Sequence, residues 1–313
     1  MSALQFSPDG RLQHLLTLEG LDRATLTALM DAAESFRTAP GTKPRRHDAL
    51  AGRTVVNLFF EPSTRTRSSF ELAARRLGAD VLNLEIGASS AVKGESLEDT
   101  LYTLEAMNAD VFVVRHKVAG VPERLAHHAA PQVHVLNAGE AHLNHPTQGL
   151  LDALTIRRHK PDFASLSVAI VGDIKHSRVA RSAVQALAIL GTQDIRLAGP
   201  KSLLPKKGEL QGELYTNADR AVAGTDVVMM LRIQKERMQK ADVPSAAAYF
   251  KRYGLDAKRL KKAKPGAIVM HPGPMNRGIE IAPEVADGPQ SVIREQVANG
   301  VAVRMAVLKS FYS

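Results

Sequence analysis

The chain contains no cysteine and no tryptophan, and only 4% of its residues are aromatic. The missing cysteines exclude disulfides, thiolate metal sites and cysteine nucleophiles. The thin aromatic content removes most of the platforms on which single-stranded nucleic acid stacks, so no nucleic-acid partner is expected. No apolar run reaches the ~18 residues that span a bilayer, and no membrane association is expected. The opening segment, MSALQFSPDGRLQHLL, lacks a basic stretch leading into an apolar block. It predicts no secretory signal and a cytoplasmic location. Gly172-Asp173 lacks the later glycines of a dinucleotide fingerprint, and no G-x-x-x-x-G-K-[ST] loop or G-x-S-x-G elbow occurs. No histidine pair has metal-ligand spacing on one helical face. No metal and no cofactor are therefore expected.

What is present fits a two-domain globular protein. A length of 313 residues suits two domains of about 150, and 44% hydrophobic with 23% charged residues is ordinary for this class. The net charge of +9 is mostly scattered. Its densest runs, Lys43 to Arg46 and Lys258 to Lys264, carry no interleaved aromatics. Small anionic substrates account for such a surplus as well as nucleic acid does.

Apolar periodicity predicts strands alternating with helices. A helix from Asp22 to about Arg37 has Asp22 as its cap and Leu26, Leu29, Met30 and Ala33 inward. A strand through Val55 to Phe60 ends at Pro62, and a helix follows from about Thr64, with Phe70, Leu72, Ala73, Ala74 and Leu77 on its apolar face and Gly78 closing it. Further strands are expected at 80–85, 110–114, 133–136, 167–171, 195–198, 227–231 and 268–270, the last three completing the set. Helices are expected at 96–108 (Ser96 as cap), 122–128, 145–159, 177–190 and 291–311, the last with Val292, Val297, Val301, Met305 and Leu308 among its apolar positions. Alternation of this kind predicts two α/β domains, each a parallel sheet flanked by helices, joined by interdomain helices. The expected division is 1–144, completed by a C-terminal helix at 291–313, and 145–290.

Polar residues gather at strand ends, where open α/β sheets bind ligands. Ser63, Thr64, Arg65 and Thr66 stand where a strand becomes a helix. Unpaired N–H groups and the positive end of the macrodipole lie there, and hydroxyls with a guanidinium complete the donor set for a phosphate. Taken alone, the same residues also describe a capped helix with a solvated arginine. Arg115-His116, Gly172 to Arg178 and His271-Pro272-Gly273-Pro274 end other strands, and His145-Pro146-Thr147-Gln148 opens a helix.

These segments carry a resemblance. Phe59 to Phe70, Arg115-His116, His145 to Gln148, Gly172 to Arg178, Leu231 to Arg237 and His271 to Gly278 resemble, in order and spacing, the motifs of the aspartate and ornithine carbamoyltransferases. The resemblance runs from about Arg53 to Arg277. It implies a carbamoyl-phosphate site of Ser63, Thr64, Arg65, Thr66, Arg115, His145, Gln148, Pro272 and Gly273. It also implies that Ser89 and Lys93 reach a neighbouring subunit's site, so that the working unit is a homotrimer with shared active sites. The segments around Arg178, and around Arg232 with Gln234, resemble the aspartate branch. Two guanidiniums can clamp two carboxylates in bidentate pairs, which suits a dicarboxylate and not a diamino acid. Gly273 stands where ornithine enzymes carry a cysteine. The acceptor site implied is Lys93, Arg178, Arg232, Gln234, Gly273 and Pro274.

The expected reaction is transfer of the carbamoyl group from carbamoyl phosphate to the α-amine of L-aspartate, an early step of pyrimidine synthesis. Arg65, Thr66, Arg115 and His145 are the expected catalytic residues. Other readings are transfer to another amine such as ornithine, or a non-catalytic homologue that binds a partner enzyme. The resemblance leaves open a trimer standing alone or one joined to regulatory or dihydroorotase-like chains.

Overall fold

The computed structural model describes residues 2–39, 41–85, 96–233 and 245–313. Among these, the apolar runs form nine strands in two sheets: β1 (Thr54–Phe59), β2 (Asp80–Glu85), β3 (Val111–His116) and β4 (His134–Glu140), then β5 (Ser167–Val171), β6 (Asp194–Ala198), β7 (Glu213–Tyr215), β8 (Val227–Met230) and β9 (Ile268–Met270). The strand orders are β2-β1-β3-β4 and β7-β6-β5-β8-β9, and every neighbouring pair is parallel. The central strands are buried almost throughout, as expected for sheets covered by helices on both faces.

Local signals set the helix ends. Asp22, Ser96 and Ser177 each accept a bond from the N–H three residues on, opening helices at Arg23–Ser35, Leu97–Ala106 and Arg178–Leu190. Gly78, at φ 87°, follows Leu77, the C-cap of the Thr64–Arg76 helix, in the left-handed conformation that glycine adopts without penalty.

The backbone divides into two compact units, Met1–Leu151 with Ala298–Ser313, and Asp152–Val297. The first is built on Val56, Leu58, Leu101, Phe112, Val114 and Leu125. Its C-terminal residues belong to it: Phe311 stacks on His134 with ring centroids 4.8 Å apart, and the Arg304 guanidinium lies 4.7 Å from the centre of the Phe70 ring. The second unit's core includes Val171, Val228, Met230, Tyr249 and Ile281.

The structure corrects the sequence reading at several points. β7 was not expected. It is a three-residue edge strand (Glu-Leu-Tyr) with no apolar run to announce it, ordered by pairing with β6. β4 continues through Asn137-Ala138-Gly139-Glu140, beyond the apolar residues that mark its start, because the side chains of Asn137 and Glu140 are buried and find hydrogen-bond partners. Leu72 and Val297 are exposed, although both were placed on apolar helix faces. A helix at Ala246–Tyr253, unmarked in the sequence reading, buries Tyr249 and Tyr253.

The strand orders have one consequence for function. In the first sheet the chain lays β2 on one side of β1 and then crosses to place β3 on the other. In the second it lays β6 and β7 on one side of β5 and then crosses to β8 and β9. The carboxyl ends of β1 and β3, and of β5 and β8, are therefore the two switch points, where parallel sheets open a crevice.

Candidate active site

The first switch point carries Ser63 to Arg67 after β1 and Arg115 within β3. The register sets Phe59 opposite Arg115, and the Phe60 N–H donates to the Arg115 carbonyl at 2.9 Å. The turn that opens the Thr64–Arg76 helix thus starts beside Arg115. Ser63 occupies the cap position, but its hydroxyl makes no capping bond. Thr64 and Arg65 are exposed, and Thr66 is half-buried.

Arg115 is held firmly for a cation at a strand end. Its Nη1 donates to the Ala138 carbonyl at 3.1 Å, and its Nε lies 3.3 Å from Glu61 Oε2. A bulge supplies that carbonyl. Val114 pairs with Asn137 but His116 pairs with Glu140, so β4 inserts one extra residue opposite Arg115. Bulges of this kind re-aim a side chain beside a site. Next to it, burial pushes the His116 imidazole below its ordinary pKa, and its Nδ1 accepts from the Val118 N–H at 2.9 Å. A neutral ring there adds no repulsion to the arginines.

β4 leads to His145. Glu140 is buried, and both its oxygens are used: Oε1 accepts from Asn144 Nδ2 at 2.7 Å and Oε2 from the Gly120 N–H at 2.9 Å. Thr17 Oγ1 bonds Asn144 Oδ1 at 2.9 Å. His145 follows immediately, buried, with its carbonyl accepting from the Gln148 N–H at 2.9 Å. Since β4 lies beside β3, this turn adjoins the Arg115 end of the sheet.

The second switch point carries the other set. Gly172 follows β5 at φ 145°, and a Cβ there would meet the Leu231 Cβ at 2.8 Å, so only glycine lets the ends of β5 and β8 approach this closely. Asp173 accepts both the backbone N–H and the ring Nδ1 of His176, at 3.1 and 2.9 Å, shaping the turn before Ser177. Arg178 then starts a helix one turn beyond β5, and Arg232 lies two residues beyond β8 and is exposed. β5 and β8 are hydrogen-bonded neighbours, with Val171 opposite Met230, so the two arginines leave adjacent strands. Pro272, Gly273 and Pro274 follow β9, which borders β8. Asn276 Nδ2 ties this loop to the Ile233 carbonyl at 2.9 Å.

Of the residues that the sequence pointed to, Ser63, Thr64, Arg65, Thr66, Arg115, His145 and Gln148 thus lie at one end of the first sheet. Arg178, Arg232, Pro272, Gly273 and Pro274 lie at one end of the second. Ser89, Lys93 and Gln234 lie outside the described residues. Sequence reasoning missed the supporting residues Glu61, Glu140, Asp173, Asn276 and Glu280. Glu61, Asp173 and Asn276 carried a signal, since each sits within a segment already singled out (Phe59 to Phe70, Gly172 to Arg178, His271 to Gly278). Glu140 and Glu280 show themselves only through the bonds their buried carboxylates make.

The fold and these sites define a class: a two-unit parallel α/β protein with a turn of hydroxyls and arginines at the switch point of one sheet and a pair of arginines at the switch point of the other. Comparison with known proteins then gives the family. Residues 13–158 match the carbamoyl-P binding domain, and residues 164–311 the Asp/Orn binding domain, of the aspartate/ornithine carbamoyltransferases; the chain belongs to that family. It is similar to an ornithine carbamoyltransferase from Thermus thermophilus (27% identity, TM-score 0.84), covering 96% of this chain and 99% of that one. It is similar to aspartate transcarbamoylase from Trypanosoma cruzi, solved in complex with carbamoyl phosphate and aspartate (32% identity, TM-score 0.82, 95% and 96% covered). An ornithine carbamoyltransferase from Pyrococcus furiosus is similar at 28% identity, TM-score 0.83, with 95% and 96% covered.

Proposed function

We propose that this carbamoyltransferase uses L-aspartate as its acceptor, forming N-carbamoyl-L-aspartate and phosphate as a step of pyrimidine synthesis in the cytoplasm. The observation that carries the choice is the placement of Arg178 and Arg232 at the ends of adjacent strands β5 and β8. Two guanidiniums suit an acceptor with two carboxylates, because each forms a bidentate, charge-assisted pair. A diamino acid would meet two like charges there.

The division of labour follows the two units. Ser63, Thr64, Arg65, Thr66 and Arg115 bind the phosphate of carbamoyl phosphate, with His145 and Gln148 on its carbamoyl group. Arg178, Arg232 and Gln234, with the 272–274 loop, hold aspartate. The neutral α-amine attacks the carbonyl carbon, and oxyanion charge develops against Thr66, Arg115 and His145. As the intermediate collapses, the C–O bond breaks, phosphate leaves with the electron pair and the new ammonium loses its proton. Rate enhancement comes from orientation and preorganised charge. Ser89 and Lys93 act in the neighbouring subunit's site, which makes a homotrimer the working unit; sedimentation as a single 33.8 kDa species would remove that part of the proposal.

Parallel assays with carbamoyl phosphate and either aspartate or ornithine test the reading. Product with aspartate alone is expected. Product with ornithine alone would overturn the role given to Arg178 and Arg232, and the likeness to two ornithine enzymes makes that arm necessary.

A further inference from the structure

Glu280 is fully buried and belongs to no motif that assigns it a role. Its Oε1 accepts from His271 Nε2 at 3.2 Å and from the Asn276 N–H. Its Oε2 has no hydrogen-bond partner, and neither has the buried hydroxyl of Tyr249 nearby in the same core. Among the described residues no lysine or arginine lies against this carboxylate. A buried carboxylate with an unsatisfied oxygen is a poor device for stability, and such groups call for another explanation.

Its two bonds supply one. The Gly273 N–H can only donate, and it donates to His271 Nδ1 at 2.8 Å. That nitrogen is therefore unprotonated, and the ring proton sits on Nε2, pointing at Glu280. Glu280 holds the tautomer that lets His271 grip Gly273, which stands at φ 64° in the left-handed region where glycine is at ease. Through its second bond Glu280 fixes the Asn276 backbone, and the Asn276 side chain holds the Ile233 carbonyl, one residue beyond Arg232. A single carboxylate thus ties the loop after β9 to the segment after β8.

We propose that Glu280 is a positioning residue for the amine acceptor: through His271 it sets the Pro272–Pro274 loop, and through Asn276 it sets the Arg232 segment. This rests on the carbamoyl-transfer reading, and it assigns Glu280 no contact with substrate. Its action lies in hydrogen-bond acceptance, so glutamine, which keeps an acceptor oxygen, substitutes for it.

The test uses the full chain and whichever amine the wild type carbamoylates. E280A raises KM for that amine at least tenfold, leaves affinity for inorganic phosphate within twofold, and E280Q restores KM to within threefold. N276A keeps the buried carboxylate and core intact and raises KM in the same direction, so the inference stays testable if E280A does not fold. An unchanged KM in N276A, an equal loss of phosphate affinity, or E280Q as damaged as E280A would overturn it. If the wild type carbamoylates neither amine, the functional reading fails separately, and the ¹⁵N shifts of His271 judge the network. An Nε2–H tautomer that is lost in E280A supports it, and one that persists overturns it.

Discussion

The two units solve the same local problem in opposite ways. Each sends a central strand, β1 or β5, through a short turn into a 13-residue helix with serine at the cap. In the second unit Ser177 accepts from the Ala180 N–H at 3.1 Å, so the helix end is satisfied from within. In the first unit Ser63 makes no such bond. One helix start keeps its donors for itself and presents the guanidinium of Arg178. The other leaves hydroxyl and N–H donors available beside Arg65 and Arg115. An open helix end favours an oxyanion, whereas a closed one with an arginine offers a directed partner for a carboxylate. The carboxylates bracing each site differ too. Glu140 uses both oxygens, while Glu280 leaves one unsatisfied.

The largest way to break this comparison is a pair of arginine substitutions. Arg65→Ala should lower kcat by roughly 10²–10³, the effect of losing one donor to developing charge, with an unchanged circular-dichroism spectrum. Arg232→Ala should instead raise KM for the acceptor by about 10- to 100-fold, as loss of charge-assisted bonds implies, and leave phosphate affinity alone. Near-normal turnover in the first variant, or lost phosphate affinity in the second, would erase the division of labour.

A second difference appears on acidification. His14 is buried beside His134, and its Nδ1 accepts from the Val135 N–H at 2.9 Å. Burial, with His134 adding repulsion, lowers its pKa from 6.5 to about 4. Between those values the unfolded chain binds a proton that the folded chain refuses, so stability falls as pH drops through that window. The gap corresponds to about 3 kcal/mol, complete only below the folded value. Thermal midpoints between pH 7.5 and 4.5 should show the loss. His14→Gln, whose amide oxygen can take the same N–H, should flatten the profile, and an unaltered profile would count against the assignment.

The smallest effect sharpens the contrast most directly. Ser177→Ala should cost about 1 kcal/mol in denaturant unfolding, the usual worth of a cap. Ser63→Ala should cost at most a few tenths of that and weaken phosphate binding. Equal stability losses would mean that the two serines do the same work.

Much of this was legible in the residues themselves. Asp22 and Ser96 cap where their spacing said they would, because a cap needs only an oxygen and an N–H three residues on; Ser177, expected as the first helical residue, is the cap of its helix instead. β5 and β9 announced themselves as continuous apolar runs, and β1 as one broken only by Asn57, since strands buried on both faces have little polar side to show. The chemistry-bearing segments were visible as polar residues interrupting that pattern. β7 and the Ala246–Tyr253 helix were not, being short elements ordered by neighbours distant in sequence. Nor were Leu72 and Val297, whose exposure depends on what covers a helix face and not on its periodicity.

Residue patterning thus set most of the strands and helices and the side chains that stand at their ends, because those preferences act over a few residues. The packing of the whole chain was needed to lay β3 beside β1 and β8 beside β5, bringing the ends that carry Arg115 and Ser63, and those that carry Arg232 and Arg178, side by side. It alone placed the bulge behind Arg115 and the carboxylates of Glu140 and Glu280 behind the turns. Strand order is set by how crossovers pack their apolar faces on a sheet, and hydrogen bonds between residues tens of positions apart form only once that packing has closed the distance.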